Sequence, residues 1–397
     1  MLIGVVGKPN TGKSTFFKAA TLAEVAIAPI PFTTINPNEG IGFVRVDCVE
    51  TFFKTKCNPR QGFCIDGQRF VPVKLVDVAG LVPGAHLGKG LGNKFLSDLV
   101  QADVLIHIVD ASGSTNEEGK MIEPGSYDPA KDVKFVEDEL DKWFFGMLKE
   151  NWSKFIKQSQ QKSADKALAE QFYGFKITLD QIVKALKKTK LESKALSQWS
   201  DGDIASFAAA VRLMSKPVII AANKMDLPAA KANIAKLKKE FPQYMIVPVS
   251  AESELALREA AKKELIKYIP GDNSFSILKP KQITEEQRKA LDFIQKKILN
   301  VWGSTGLQQC LNSAVFDFLK HIVVFPGGVH KLGDSQGRIL PDAFVLPPNS
   351  TAYDFAAKIH TDFAKNFIAA INVRTRQKIG RDAKLQNLDV IEIIANR

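Results

Sequence analysis

The chain is poor in cysteine and has no long apolar run. None of its 397 residues falls in a stretch of the roughly twenty consecutive apolar side chains that a membrane-spanning helix needs, so no membrane partner is expected. The opening residues, MLIGVVGKPN, lack the basic, apolar and small-residue order of a secretion signal, and a cytoplasmic location is the expectation. Four cysteines, Cys48, Cys57, Cys64 and Cys310, suit a reducing compartment. Cys57 and Cys64 resemble half a metal site, but their spacing is wide and no second pair or histidine cluster completes it. Buried or surface thiols are therefore expected.

Positive charge is in excess, with a formal net of +11, so an acidic partner is expected, RNA or a ribosome most naturally. Nothing implies DNA sequence specificity. Much of the excess is local: eleven lysines face five acids between Lys149 and Lys194, and a solvated helix surface is the alternative reading there. Apolar residues at 45% and charged ones at 24% are those of a globular protein, and the length suggests two or three domains.

Strand and helix signals alternate over residues 1–112. LIGVVG, FVPVKLVDV and DVLIHIVDAS read as strands, with helices near Thr15–Ala23 and Leu91–Gln101. PVIIAANKMD and YMIVPVSA resume the pattern around a helix from about Ala229 to Glu240, and a last helix is expected over about Leu255–Tyr268. The pattern predicts an α/β fold with a mainly parallel sheet, a discontinuous domain over 1–112 and 213–272. Residues 113–212 carry apolar side chains at helical spacing and no convincing strand. They predict a helical insertion, an antiparallel pair with an aromatic seam that includes Phe144, Trp152 and Phe155. A helical linker is expected over 273–320. Residues 321–397, β-rich with one main helix in YDFAAKIHTDFAKNF, suit a ubiquitin-like β-grasp unit.

Gly7, Lys8, Pro9, Asn10, Thr11, Gly12, Lys13 and Ser14, followed by Thr15, fit G-x-x-x-x-G-K-[ST] between a strand and a helix. Such a loop turns backbone N–H groups toward phosphates at a helix N-terminus, with Lys13 reaching the β- and γ-phosphates and the Ser14 hydroxyl on Mg²⁺. Asp77 closes an apolar strand, where a carboxylate serves Mg²⁺, and Gly80 lets a backbone N–H approach a γ-phosphate. In PFTTI, a threonine can ligate Mg²⁺ only while the γ-phosphate is present, which makes a switch. In NKMD, the Asp226 carboxylate can accept from guanine N1–H and the 2-amino group, with Asn223 bracing the loop, Lys224 along the base and Met225 between them. Ser250, Ala251 and Glu252 put a backbone N–H near guanine O6. GTP and Mg²⁺ are the ligands this set implies.

GKPNTGKS, PFTTI, DVAGL, NKMD and SAE, with GAHLGKGLGNKFL, resemble the Obg-like (YchF) GTPases of the P-loop superfamily in their archaeal form. The C-terminal run from STAYDFAAKIH to LDVIEI resembles the TGS module, and the likeness covers nearly the whole chain. It implies a slow, Mg²⁺-dependent GTPase switch that associates with ribosomes or RNA, with functional roles for Lys13, Ser14, Thr34, Asp77, Gly80, Asn223, Lys224 and Asp226. Other members of the branch often replace the aspartate of NKMD with glutamate, lack its lysine and prefer ATP. The intact motif here predicts GTP over ATP, with a dual ATP/GTP hydrolase and a non-hydrolysing binding module as alternatives. Leu81 stands where Ras-type GTPases carry the glutamine that orients water. Three replacements are open: K⁺ held by Asn10, His86 positioning a water, or a group supplied by a partner. The alternative for Asn10 is that it only ties the loop to its own backbone.

Overall fold

The computed structural model describes residues 1–22, 39–78 and 101–396. The expected roles of Thr34, Gly80, Leu81 and His86 fall outside the described residues. Two compact units emerge, Met1–Phe17 with Leu75–Glu252, and Lys18–Lys74 with Ser253–Arg397. The first seven strands are β1 (Leu2–Val6), β2 (Glu39–Asp47), β3 (Phe63–Ile65), β4 (Gln68–Asp77), β5 (Val104–Asp110), β6 (Val218–Asn223) and β7 (Met245–Pro248).

In the first unit the strand order is β1-β5-β6-β7, with β1/β5, β5/β6 and β6/β7 all parallel. Every residue of β5 and of β6 is buried. Nearly continuous apolar runs such as VLIHIV and VIIAA are what a parallel sheet covered on both faces requires. Gly4 is needed in β1 because a Cβ there would lie 2.8 Å from Leu105 and 3.1 Å from Ala102. The parallel register sets Asp110 beside Asn223, so the loops after β1, β5 and β6 leave from one edge, where ligands of such sheets bind.

Between β5 and β6 the expected helix pair is replaced by five α-helices: Ala130–Glu150, Trp152–Ser159, Ala164–Phe172, Leu179–Thr189 and Asp201–Ser215. The extra breaks are made by caps. Thr178 and Gln181, and Ser200 and Asp203, form reciprocal capping boxes that start two of the helices. The aromatic side chains do form the seam: Trp199 packs on Trp152 and on Phe207, with centroids 5.4 and 5.2 Å apart. Part of the lysine excess is neutralised inside this bundle, where Lys184 pairs with Asp180, Lys162 with Glu170 and Lys194 with Asp203.

The second unit contains two strands that the sequence reading passed over, β2 and β3. Phe43, Phe63 and Phe70 form their core, and an Asp66-Gly67 turn with both φ angles positive joins β3 to β4. The helix expected to reach Tyr268 stops at Lys262. Glu264 turns left-handed (φ 53°), the Leu265 N–H returns to the Ala260 carbonyl, and β8 (Ile266–Tyr268) pairs with β9 (Phe275–Ile277). The C-terminal sheet joins β10 (Ile322–Pro326), β11 (Phe344–Leu346), β12 (Phe367–Asn372), β13 (Gln377–Ile379) and β14 (Asp389–Ala395) in the order β11-β10-β14-β12-β13. Only β10/β14 is parallel, and Phe355 of the helix Ala352–Ile359 packs into the core with Val324, Ala370 and Ile391. This is the β-grasp arrangement. Its main helix breaks at His360, which is extended (φ −162°, ψ 144°) and accepts the Asp362 N–H on Nδ1, starting the separate helix Thr361–Lys365. Among the described residues no helix is long and apolar enough to cross a membrane.

His107 lies fully inside β5, and burial, reinforced by the Lys8 charge, pushes its pKa down to about 3. The unfolded chain takes up this proton below about pH 6.5 while the folded chain does not, so stability falls as pH drops from about 6.5 toward 3. The slope is about 1.4 kcal/mol per pH unit for this one group. Urea unfolding at pH 7 and pH 5 should show His107→Leu losing less stability on acidification than the native protein, by about 2 kcal/mol.

Candidate functional site

The loop from Gly7 to Gly12 joins β1 to the helix Lys13–Thr21, and its shape is held by small residues and internal bonds. A Cβ on Gly7 would lie 2.7 Å from the Ile108 carbonyl oxygen. Gly12 has φ +92°, and a Cβ there would run into the Asn223 amide. Thr11 is buried and donates from Oγ1 to the Lys8 carbonyl at 3.0 Å. Lys8 and Pro9 line the cavity beside this loop, but the Lys8 ammonium is committed elsewhere. It pairs with Asp132 at 2.8 Å, donates to the Thr115 carbonyl and sits 4.0 Å from the Tyr127 ring centre. Lys8 and Thr11 therefore offer a ligand their backbone rather than their side chains.

Asn10 is left-handed (φ 63°), and its Nδ2 donates to the Gly119 carbonyl at 2.9 Å. The side chain thus ties the phosphate loop to a segment far along the chain, not to its own backbone. At the other end of the loop, Lys13 forms an ion pair with Asp77, the last residue of β4.

Asn223, the last residue of β6, joins two loops. Its Nδ2 donates to the Thr11 carbonyl at 2.8 Å and its Oδ1 accepts the Ala251 N–H at 3.0 Å. Lys224 is left-handed (φ 61°) and reaches Asp110 at 2.9 Å and Ser114 Oγ at 3.0 Å. Met225 is buried and its N–H donates to Val249, so it supports the loop from behind. Asp226 faces the cavity and accepts from Ser250 Oγ at 2.9 Å. Lys13, Ser14, Thr15, Asn223, Lys224, Asp226, Ala251 and Glu252 all border one open cavity of about 480 Å³. That is large enough for a nucleotide-sized ligand.

Two features escaped the sequence reading. Asp110 closes β5 as Asp77 closes β4, and it accepts from Ser112, Ser114 and Thr115 hydroxyls as well as from Lys224. Burial pushes its carboxyl up, but these donors outweigh burial and hold it below the usual carboxylate range. A run of hydroxyl residues after a strand-closing aspartate was the available signal. Met121, 63% exposed, and Leu227 give the cavity an apolar border. Met121 arrives there through an isolated bridge with Thr115, for which the sequence carries no signal.

Comparisons with known proteins agree with this geometry. Residues 2–137 match the family model for 50S ribosome-binding GTPases, residues 221–328 the Obg-like GTPase YGR210-like, G4 motif-containing domain, and residues 336–395 the TGS domain. The chain is 46% identical to an uncharacterized GTP-binding protein, MJ1332, of Methanocaldococcus jannaschii over 99% of both chains. It is 28% identical to Obg-like ATPase 1 of Rattus norvegicus, covering 93% of this chain and 81% of that one. The crystal structure of a GTP binding protein from Pyrococcus horikoshii OT3 superposes with a TM-score of 0.76 at 36% identity, each chain fully covered.

Asn223→Ala strands the buried Thr11 carbonyl and Ala251 N–H together, at about 1–3 kcal/mol for each group. Calorimetric titration should show guanine-nucleotide affinity falling at least about tenfold, and thermal unfolding should show a lower midpoint.

Proposed function

From the premise that this chain belongs to the Obg-like (YchF) family of P-loop GTPases, we propose that it is a guanine-nucleotide switch that slowly hydrolyses GTP to GDP and phosphate. The observation that carries the guanine assignment is Asp226, whose carboxylate borders the cavity with one oxygen fixed by Ser250. Guanine offers two donors, N1–H and the 2-amino group, to such a carboxylate. Adenine offers neither there, and leaving the carboxylate without donors costs affinity. The Ala251 N–H is already taken by Asn223, so the O6 donor falls to another backbone group of the Ser250–Glu252 turn.

The phosphates belong at the N-terminus of the Lys13–Thr21 helix, where the free N–H groups and the helix dipole both favour anions. The donor set fits Mg²⁺: a hydroxyl from Ser14 and a carboxylate from Asp77 are hard oxygens, and Mg²⁺ bound there would neutralise charge developing on the β- and γ-oxygens. Lys13 and Asp77 now neutralise each other. In the proposed switch, Lys13 would turn to the triphosphate and Asp77 would help hold the metal, so ligand binding would separate the pair. Thr34 and Gly80 sense the γ-phosphate in this reading. His86 and a partner's group are candidates for orienting the water.

Leu81 cannot orient water through its side chain, so charge stabilisation must come from elsewhere. Asn10 supports K⁺ as that source, because its amide nitrogen is held by Gly119 and its amide oxygen is a hard donor of the kind such a cation takes. The family model's ribosome-binding description, the net charge of +11 and the exposed Lys187, Lys188 and Lys190 support RNA or a ribosome as the cytoplasmic partner.

In competition against a labelled guanine nucleotide, GTP should displace the label at least about a hundredfold more effectively than ATP, and equal displacement refutes the guanine reading. Asp226→Asn replaces one acceptor with a donor and should shift preference from guanine to xanthine nucleotides, which carry an oxygen at C2. Exchanging Na⁺ for K⁺ should raise GTP turnover, and Asn10→Ala should abolish that difference. Equal turnover of the native protein in the two salts would remove K⁺ from the account.

A further inference from the structure

Three of the four cysteines converge at one place in the second unit, together with a carboxylate. The ligand atoms of Cys48, Glu50, Cys57 and Cys64 all lie within 4.8 Å of one another. Cys57 and Cys64 are joined by Cys48 and Glu50, which a reading of Cys57 and Cys64 alone does not reach. We propose that these four residues bind a structural Zn²⁺.

Two edges of the cluster match those of a tetrahedral centre. With Zn–S near 2.3 Å and Zn–O near 2.1 Å, the edges of such a centre are about 3.8 Å for S···S and about 3.6 Å for S···O. The Cys48 and Cys57 sulfurs lie 3.7 Å apart, and the Cys64 sulfur lies 3.5 Å from Glu50 Oε1. Soft thiolate donors select zinc over the hard cations Mg²⁺ and Ca²⁺. On binding, three S–H groups release their protons to solvent as three S–Zn bonds form, with no change of oxidation state. Three thiolates and a carboxylate leave the site net negative. The exposed Lys54 and Lys56 on the same segment offset part of that charge.

Local structure already aims the ligands. Cys48 follows β2, and its N–H donates to the Gly67 carbonyl in the β3–β4 turn at 2.7 Å. Cys64 is the central residue of β3. Glu50 Oε2 accepts the Cys57 N–H at 2.7 Å, which places the carboxylate between two of the sulfurs. The chain from Cys48 to Gly62 has neither helix nor strand, and Phe52 on it is exposed. A stretch of this length without helix or strand is uncommon in a compact unit unless it serves a function. The same stretch is bonded to the C-terminal module: the Asn58 N–H donates to Ile339 and the Arg60 N–H to Pro341, both at 2.8 Å, and the Arg60 guanidinium pairs with Asp342. A metal at the four-residue centre would fix the segment that makes those bonds.

The test uses the full-length chain. Elemental analysis of protein purified under reducing conditions should find one zinc per chain. Replacement by Co²⁺ should give the intense near-ultraviolet sulfur-to-cobalt band and the visible bands of a tetrahedral thiolate site. Cys57→Ser and Cys64→Ser should each weaken zinc binding by more than about 100-fold, beyond the loss typical of an outer partner, and Cys310→Ser should leave the zinc content unchanged. Should the cysteine variants fail to fold, native protein stripped by a chelator carries the test. Its Asn58 and Arg60 amides should exchange faster with deuterium, and Zn²⁺ but not Mg²⁺ should restore their protection. Absence of metal binding with three reactive thiols, a Cys48–Cys57 disulfide, or iron in place of zinc would each overturn the proposal.

Discussion

The candidate site depends on one side chain, the Asn223 carboxamide. It spans from the Thr11 carbonyl to the Ala251 N–H, and so holds the phosphate loop and the loop after β7 at one spacing from the end of β6. The two bonds are buried, so each is costly to lose. The same amide fills the space that a side chain on Gly12 would occupy, which explains why the phosphate loop needs glycine at that turn. A parallel sheet brings loops to one edge. It does not fix the distances between them, and Asn223 does.

Around that brace, three lysine–aspartate pairs divide the work. Lys8 with Asp132 is almost dry, Lys224 is half-buried against the fully buried Asp110, and the two carboxylates are further satisfied by Tyr127 and by a set of serine and threonine hydroxyls. Breaking either strands a buried charge, a loss of about 3–5 kcal/mol, so they act as fixed walls. Lys13 with Asp77 is the most accessible of the three and stands at the N-terminus of the phosphate-loop helix. It is the pair that the proposed triphosphate and divalent cation would take apart.

Much of this was legible in the sequence because phosphate and guanine chemistry demand particular residues at strand ends. GKPNTGKS and NKMD each follow an apolar run, and the parallel sheet brings those ends together. What was missed depends on partners distant in sequence. Asp110 gains its role from Lys224, and Cys48 and Glu50 join Cys57 and Cys64 only because the β3–β4 hairpin folds back on the segment after β2. The insertion was recognised as helical from its apolar spacing. Its division into five helices rests on single capping residues such as Thr178 and Ser200, which leave that spacing unchanged. Likewise His360 breaks an amphipathic pattern that continues past it.

The most direct test of the account is single-turnover cleavage of γ-labelled GTP by the isolated protein and by the protein with ribosomes. The account predicts slow release of labelled phosphate that requires Mg²⁺ and is lost in Asp77→Ala. Intact GTP recovered from the bound fraction after many hours, with Mg²⁺ and K⁺ present and with or without ribosomes, would contradict it and leave a protein that binds GTP without hydrolysing it.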